Sequence, residues 1–178
     1  VLPGVSLGLV SAAGVTLTGF LVLRLAETGG GGGAAYGVYA ASVLATRLLL
    51  GGIVDRVGSA AGMALGTGLG AAGLAVIALA PVTAVGLAGA VLCGVGIAFP
   101  WLALVTFAFR RVGDHEKGGA MGVLTAISDA ATFGGSVLAG VVADSLGYPA
   151  VFWLGTGSLV LSGTLVIPAM RRLGRTAP

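Results

Sequence analysis

Charged residues are scarce in this 178-residue chain: they make up 8% of it, whereas a soluble domain carries roughly a quarter. Hydrophobic residues make up 57% of the chain, and the mean hydropathy is +1.09. The polar surface is too small to cover a soluble globule, so the composition indicates a membrane protein. The net charge of +3 comes from few basic residues at segment ends, which argues against nucleic acid as a partner.

Cysteine and histidine each occur once, which excludes a disulfide framework and a metal site built from these ligands. Cys93 lies inside an apolar run, and we expect it to be a small packing residue. His115 lies among charged residues in a loop, where we expect it to be solvated. The sequence also lacks a phosphate-binding loop and a nucleophile paired with an intramembrane histidine. It therefore predicts no enzyme, no metal site and no cofactor.

Six long apolar segments fill most of the chain, and each is close to the roughly 20 residues that a membrane-spanning helix needs. Short polar, glycine-rich or proline-containing stretches separate them. The segments cover residues 2–23, 35–54, 60–80, 82–109, 118–143 and 149–170. We therefore predict an all-α integral membrane protein with one six-helix bundle over 1–178. Residues 1–80 and 82–170 each supply three of its helices.

Basic residues lie mostly on one side of the predicted membrane. With six helices, the chain start, the second and fourth loops and the tail share that side. It holds Arg56, Arg110, Arg111, Lys117, Arg171, Arg172 and Arg175, whereas the loops of the opposite side hold only Arg24. Because loops rich in Lys and Arg remain in the cytoplasm, we predict a multi-pass protein of the cell membrane (inner or plasma membrane) with both termini cytoplasmic.

Two short stretches, GGIVDRVG at 51–58 and GVVADSLG at 140–147, share the same spacing of glycine, aspartate and glycine. The counterparts of Gly51, Asp55 and Gly58 are Gly140, Asp144 and Gly147. Each stretch follows the second helix of a triplet. Because a triplet holds an odd number of helices, the two turns lie on opposite sides of the membrane. The sequence therefore predicts an inverted 3+3 repeat, a construction common in secondary transporters.

Asp129 lies about midway along the fifth segment, where a carboxylate is costly unless it is paired or faces water. Hydroxyl residues surround it at helical spacing: Thr125, Ser128, Thr132 and Ser136. This polar stripe must face a cavity or another helix. Two interpretations stay open, because Asp129 could carry protons or could form structural hydrogen bonds to a neighbouring helix.

Glycines at steps of four residues predict close packing of helices in the membrane. The longest such ladder begins at Gly58, just before the third segment, and continues along that helix through Gly62, Gly66 and Gly70. Shorter pairs occur at Gly4 and Gly8 and at Gly118 and Gly122.

The stretch TRLLLGGIVDRVG at 46–58 resembles the signature between the second and third helices of each half of major facilitator superfamily transporters. The matching residues are Arg47, Gly51, Asp55, Arg56 and Gly58, whereas Ser59 and Ala60 replace the usual basic pair. The stretch at 117–153 resembles the eleventh helix and the start of the twelfth in the same family. The resemblance is closest to bacterial efflux-type members.

The degenerate signature, the start without Met and the short basic tail favour the carboxy-terminal half of such a transporter. We therefore expect the chain to be a fragment that corresponds to six of the family's twelve helices. An amino-terminal six-helix half, in the same polypeptide or in a partner chain, would complete it.

The resemblance implies secondary active transport of a small molecule (a drug, sugar or metabolite) by alternating access, coupled to protons. In the family the first helix of each triplet lines the substrate cavity. The cavity candidates on those helices are Ser11, Thr18, Trp101 and Thr106, and Thr125 from the polar stripe of the fifth segment is a further candidate. Asp129 is the proton-coupling candidate. The signature turn around Asp55 would latch the cytoplasmic side when the transporter faces outward.

Two other functions remain open from the sequence. The chain could be a membrane-embedded substrate-binding subunit that works with a separate energising complex. It could also be a scaffold for other membrane proteins that transports nothing. The charged turn and its inverted counterpart argue against both.

Overall fold

A computed structural model describes residues 2–29, 32–109 and 112–174, and within these ranges the chain is all-helical. Its α-helices are α1 (Leu2–Ala26), α2 (Gly32–Val57), α3 (Ser59–Leu79), α4 (Thr83–Phe109), α5 (Lys117–Leu146) and α6 (Tyr148–Gly174), and a short 3-10 helix covers Asp114–Glu116. In the described part of the chain, α1, α3, α4, α5 and α6 are long and apolar enough to cross a membrane. The protein is therefore a multi-pass membrane protein, and α2, which carries Arg47, stays a predicted span.

The connections after α2 and after α5 are shorter than the sequence suggested. α2 continues to Val57 and α5 to Leu146, so Gly58 and Gly147 alone separate these helices from the next ones. The φ angle is 85° at Gly58 and 83° at Gly147, a region that side chains with a Cβ rarely adopt. Hydropathy marks where lipid ends, whereas a helix continues through polar residues until the backbone breaks its hydrogen bonding. The predicted polar turns are therefore mostly helical.

The core of the bundle is built around α1, which contacts every other helix. Its side chains Leu7, Leu17, Leu21 and Leu25 are completely buried. A polar contact also joins α6 to α1, because the buried Ser162 hydroxyl donates to a backbone carbonyl oxygen of α1 at 3.0 Å. In lipid such packing and hydrogen bonding hold helices together, because burial from water is no longer available.

Glycines bring α3 and α4 into backbone contact. Three members of the predicted ladder, Gly62, Gly66 and Gly70, are buried, whereas Gly58 lies exposed in the turn. A Cβ placed on Gly96 of α4 would lie 2.7 Å from the Cα of Gly70. Cys93 lies buried in the same contact, as expected of a small packing residue. The two helices can approach this closely only because these positions lack side chains.

The α3–α4 contact predicts a large difference between two glycine substitutions. Gly96→Ala places a methyl group against the backbone of Gly70, and we expect it to destabilise the bundle by about 1–3 kcal/mol, as overpacking does. Gly68→Ala on α3 is the matched control, because a Cβ there meets no atom within 4 Å. It should be neutral or stabilise by up to about 1 kcal/mol. Unfolding in mixed micelles measures the stability of both variants. Equal stabilities would contradict the close α3–α4 contact.

Candidate functional site

α5 lies at the edge of the bundle, with most of its surface uncovered by the other helices. In its most apolar stretch only 11% of the residues are buried, against 39–56% in the other four spanning helices. Its surface divides into three lengthwise faces because residues three, four and seven apart share one side of a helix. These faces differ in chemistry, and each suits a different neighbour.

The inner face of α5 packs on α1. Leu124, Ser128 and Ala139 are buried there. The hydroxyl oxygens of Ser128 and Ser11 lie 2.6 Å apart and share a hydrogen bond. Ser11 was predicted to line a cavity and Ser128 to belong to the Asp129 stripe. The structure joins the two serines where α1 meets α5, and the cavity role of Ser11 stays a prediction.

A second face of α5 carries small and polar residues, and we call it the polar face. Its members are exposed and follow one another at offsets of 4, 7, 11 and 18 residues from the first: Gly118, Gly122, Thr125, Asp129 and Ser136. The Ser136 hydroxyl donates to the Thr132 carbonyl oxygen at 2.8 Å, within the helix. The predicted polar stripe is therefore split, with Ser128 turned inwards and Asp129 turned away from the bundle.

The third face of α5 is apolar and exposed. Val123, Val137 and Val141 occupy it, and each is more than half exposed. Such a face suits lipid, because valine side chains have no polar group that would need a hydrogen-bond partner in hydrocarbon. A carboxylate on a neighbouring face of the same helix does not suit lipid. The two exposed faces of α5 therefore call for different surroundings.

The other cavity candidates occupy different environments. Thr18 is exposed on α1, and its hydroxyl donates to the Gly14 carbonyl oxygen at 3.1 Å. Trp101 of α4 is partly buried and packs against the hydrophobic core, and Thr106 is half-buried on the same helix. Trp101 therefore serves the packing of the bundle at least in part. A contact with substrate stays a prediction for all of them.

The predicted signature turn lies at the end of α2. Arg47 is exposed on that helix, and Gly58 forms the turn itself. Residues 51–57 belong to the helical backbone of α2. The side chains of Asp55 and Arg56, and the surroundings of Gly51, lie outside the described residues. The latch role of this turn stays a prediction.

The predicted counterpart lies at the end of α5. Gly140 is half-buried, and Asp144 is exposed in the last turn of the helix. The backbone N–H of Gly147 donates to the Ala143 carbonyl oxygen at 3.0 Å and ends the helix. Gly58 and Gly147, the last glycines of the two stretches, thus each separate two consecutive helices, and both have a positive φ.

Sequence reasoning missed the role of Arg24 at the end of α1. Its guanidinium donates to the carbonyl oxygens of Ala78 at 3.2 Å and Ala80 at 3.0 Å, and it pairs with Glu27 at 3.3 Å. An arginine is well suited to cap the free carbonyls at a helix C-terminus. The place of Arg24 at the end of an apolar segment indicated a role at a helix end. The carbonyls that it contacts could not be predicted, because they are 54 and 56 residues away in the chain.

Comparison with known proteins identifies relatives of this chain. The family model described as Major Facilitator Superfamily matches residues 4–177. The chain is also 29% identical over 171 residues to an uncharacterized MFS-type transporter of Salmonella typhimurium. That match covers 96% of this chain but 44% of the relative, so the chain spans less than half the length of the curated relative it matches.

Proposed function

Because the chain belongs to the major facilitator superfamily, as the resemblance of its residues indicated, we propose that it forms one six-helix half of a secondary transporter. In this proposal the complete transporter moves a small molecule across the cell membrane by alternating access, and it is an efflux-type antiporter that exchanges the molecule for protons. Both termini of this half lie in the cytoplasm.

The polar face of α5 is the observation that carries this proposal. It places Asp129 and Thr125 on the outside of a helix that crosses the membrane, together with two glycines that leave room for a close neighbour. A carboxylate near the middle of the bilayer is tolerated where it meets water or protein rather than lipid. A second six-helix half supplies the protein, and a cavity between the two halves supplies the water. The match to less than half of a longer relative supports the same reading.

The packing of the helices supports an inverted 3+3 repeat. Exchanging α1 with α4, α2 with α5 and α3 with α6 maps the main contacts onto one another. The contact of α3 with α4 corresponds to that of α6 with α1, and α1 with α5 corresponds to α4 with α2. Gly58 and Gly147 correspond under the same exchange and share a positive φ. We therefore include the repeat in the proposal, since inverted repeats commonly underlie alternating access.

The proposed roles of the residues follow from these positions. Asp129 gains and loses the coupled proton. Ser11, Thr18, Trp101, Thr106 and Thr125 are the candidates that contact substrate as the cavity opens. The turn formed by Gly51, Asp55, Arg56 and Gly58, with Arg47 before it, closes the cytoplasmic side. Gly140, Asp144 and Gly147 form the corresponding turn on the outer side.

Cysteine labelling of α5 in the complete transporter tests the proposal. Thr125→Cys and Ser136→Cys replace residues of the polar face, and Val123→Cys and Val137→Cys replace residues of the apolar face. We expect a membrane-impermeant maleimide to label the first pair at least about tenfold faster, because thiolates form in water and not in lipid. Cys93 is buried and should give little background.

Two results would contradict this proposal. Equal labelling of all four variants would mean that the polar face meets no aqueous cavity. Labelling of the polar face that is unaffected by the amino-terminal half and by substrate would favour a scaffold over a transporter.

A further inference from the structure

A groove runs along the surface between α3 and α6, on helices other than α5. Its volume is about 440 Å³, which falls within the range of small-molecule pockets, roughly 300–1,000 Å³. The lining residues are mostly small or apolar: Ala64, Thr67, Gly68, Val160, Gly163, Thr164, Ile167 and Pro168. Both helices are long and apolar enough to span the membrane, so the groove lies at the depth of the lipid acyl chains.

The groove has an apolar lining even though two threonines contribute to it. The Thr67 hydroxyl donates to the Met63 carbonyl oxygen at 2.7 Å, and the Thr164 hydroxyl donates to the Leu161 carbonyl oxygen at 3.0 Å. Their donors are used within their own helices. The occupant therefore needs no polar group inside the groove, and a hydrocarbon chain fits this lining.

A positive charge lies at one end of the groove. Arg171 is exposed in the last turns of α6, three residues beyond Pro168 and seven beyond Thr164. This spacing places Arg171 on the same side of the helix as the groove-lining residues. Seven residues correspond to roughly 10 Å along the helix axis. A lipid phosphate lies near the membrane surface, where a long basic side chain reaches it readily.

We propose that the α3–α6 groove binds an anionic phospholipid, with one acyl chain in the groove and its phosphate paired with Arg171. The apolar lining recognises the chain, and the arginine at the groove end recognises the charge. The lipid comes from the leaflet that contains the C-terminal end of α6. This site is separate from the polar face of α5, so binding of this lipid does not depend on the proposed transport mechanism.

Native mass spectrometry of the purified chain tests the lipid site. The chain is titrated with phosphatidylglycerol and with phosphatidylcholine of identical acyl chains, and the retained lipid is counted. We expect one tightly held phosphatidylglycerol per chain, at about fivefold higher affinity than phosphatidylcholine, which is the effect of about one basic residue near a membrane surface.

Variants separate the two parts of the site. Gly68→Leu fills the groove and should abolish retention of both lipids; its Cβ position meets no atom within 4 Å, so the fold should tolerate it. Ala64→Leu fills the groove from a second position. Arg171→Gln should keep the acyl chain bound and lower the phosphatidylglycerol affinity to that of phosphatidylcholine.

Matched controls make the same changes elsewhere. Gly37→Leu adds a leucine on α2 at a position that is also free of neighbours within 4 Å. Lys117→Gln removes a positive charge at the start of α5, at the same end of the bundle. Both should retain lipid as the unchanged chain does. Circular dichroism verifies that every variant is folded.

Three outcomes would overturn the proposal. Unchanged lipid retention in folded Gly68→Leu and Ala64→Leu would show that the groove is not the site. A preference for phosphatidylglycerol that survives Arg171→Gln would remove the role of that residue. A dimer of the chain that these leucine variants dissociate would show that a second copy, and not a lipid, occupies the groove.

Discussion

Replacing Asp129 by asparagine in the complete transporter is expected to abolish substrate accumulation driven by a pH gradient, while downhill exchange of substrate continues. Asparagine keeps the shape of the neutral carboxylic acid but can neither gain nor lose the proton. The side chain lies on the polar face of α5 and is exposed in this half. The change should therefore leave the packing of α5 against α1 intact.

The expected result depends on what a carboxylate does at this depth. In lipid its charge would cost several kcal/mol, so the carboxylate is better placed where it meets water or protein. In the proposed cavity, which would open alternately to each side, Asp129 would meet two aqueous compartments in turn. A proton taken up from one compartment would then be released to the other, and this movement would couple the gradient to transport.

Three variants distinguish coupling from a structural role. Glu116→Gln removes an exposed carboxylate from the position just before the same helix and should leave accumulation unchanged. Ser128→Ala removes the 2.6 Å contact with Ser11 and should lower stability rather than coupling. If Asp129→Asn kept full accumulation and only Asp129→Leu lost activity, Asp129 would be a hydrogen-bonding group between helices and not a proton carrier. Uptake into liposomes with an imposed pH gradient measures all of them.

Much of this fold could be predicted from the sequence because membrane helices obey a strong constraint. Every backbone polar group in lipid needs an internal partner, so an apolar run of sufficient length is a helix. That constraint predicted six helices, and the structure confirms an all-helical chain with six of them in the described ranges. Gly58 and Gly147 lie in the two predicted turns, and both have a positive φ, which residues other than glycine rarely adopt.

The rotation of each helix about its axis could not be predicted. Helical spacing groups Thr125, Ser128 and Asp129 on one broad side, but the position of α1 decides that Ser128 turns inwards and Asp129 outwards. The Arg24 contacts and the α3–α6 groove also depend on residues far apart in the chain. Such pairings depend on how the helices pack, which no single segment specifies.

The six-helix chain by itself is expected to give no substrate-dependent flux. An alternating-access cavity needs two walls that move against each other, and the described helices supply one wall with the polar face of α5 uncovered. Reconstituted in liposomes as a monomer, the chain should insert into the membrane and fold. The membrane should remain impermeable to the substrate. The substrate would be identified beforehand with the full-length protein, by screening cationic dyes, sugars and metabolites.

Flux should return when the amino-terminal six-helix half is co-reconstituted with this chain, because the two halves then enclose the cavity. Gly122→Leu on the polar face is the matched variant: a Cβ added at Gly122 meets no atom within 4 Å inside this half, so the fold should persist while docking of the second half is blocked. Gly157→Leu adds the same bulk on α6, at a position that is also free of neighbours within 4 Å, and should still allow flux. Strong flux from a proven monomer would contradict the half-transporter proposal, because one wall would then suffice. Absence of flux even with both halves present and associated would favour a scaffold that carries nothing.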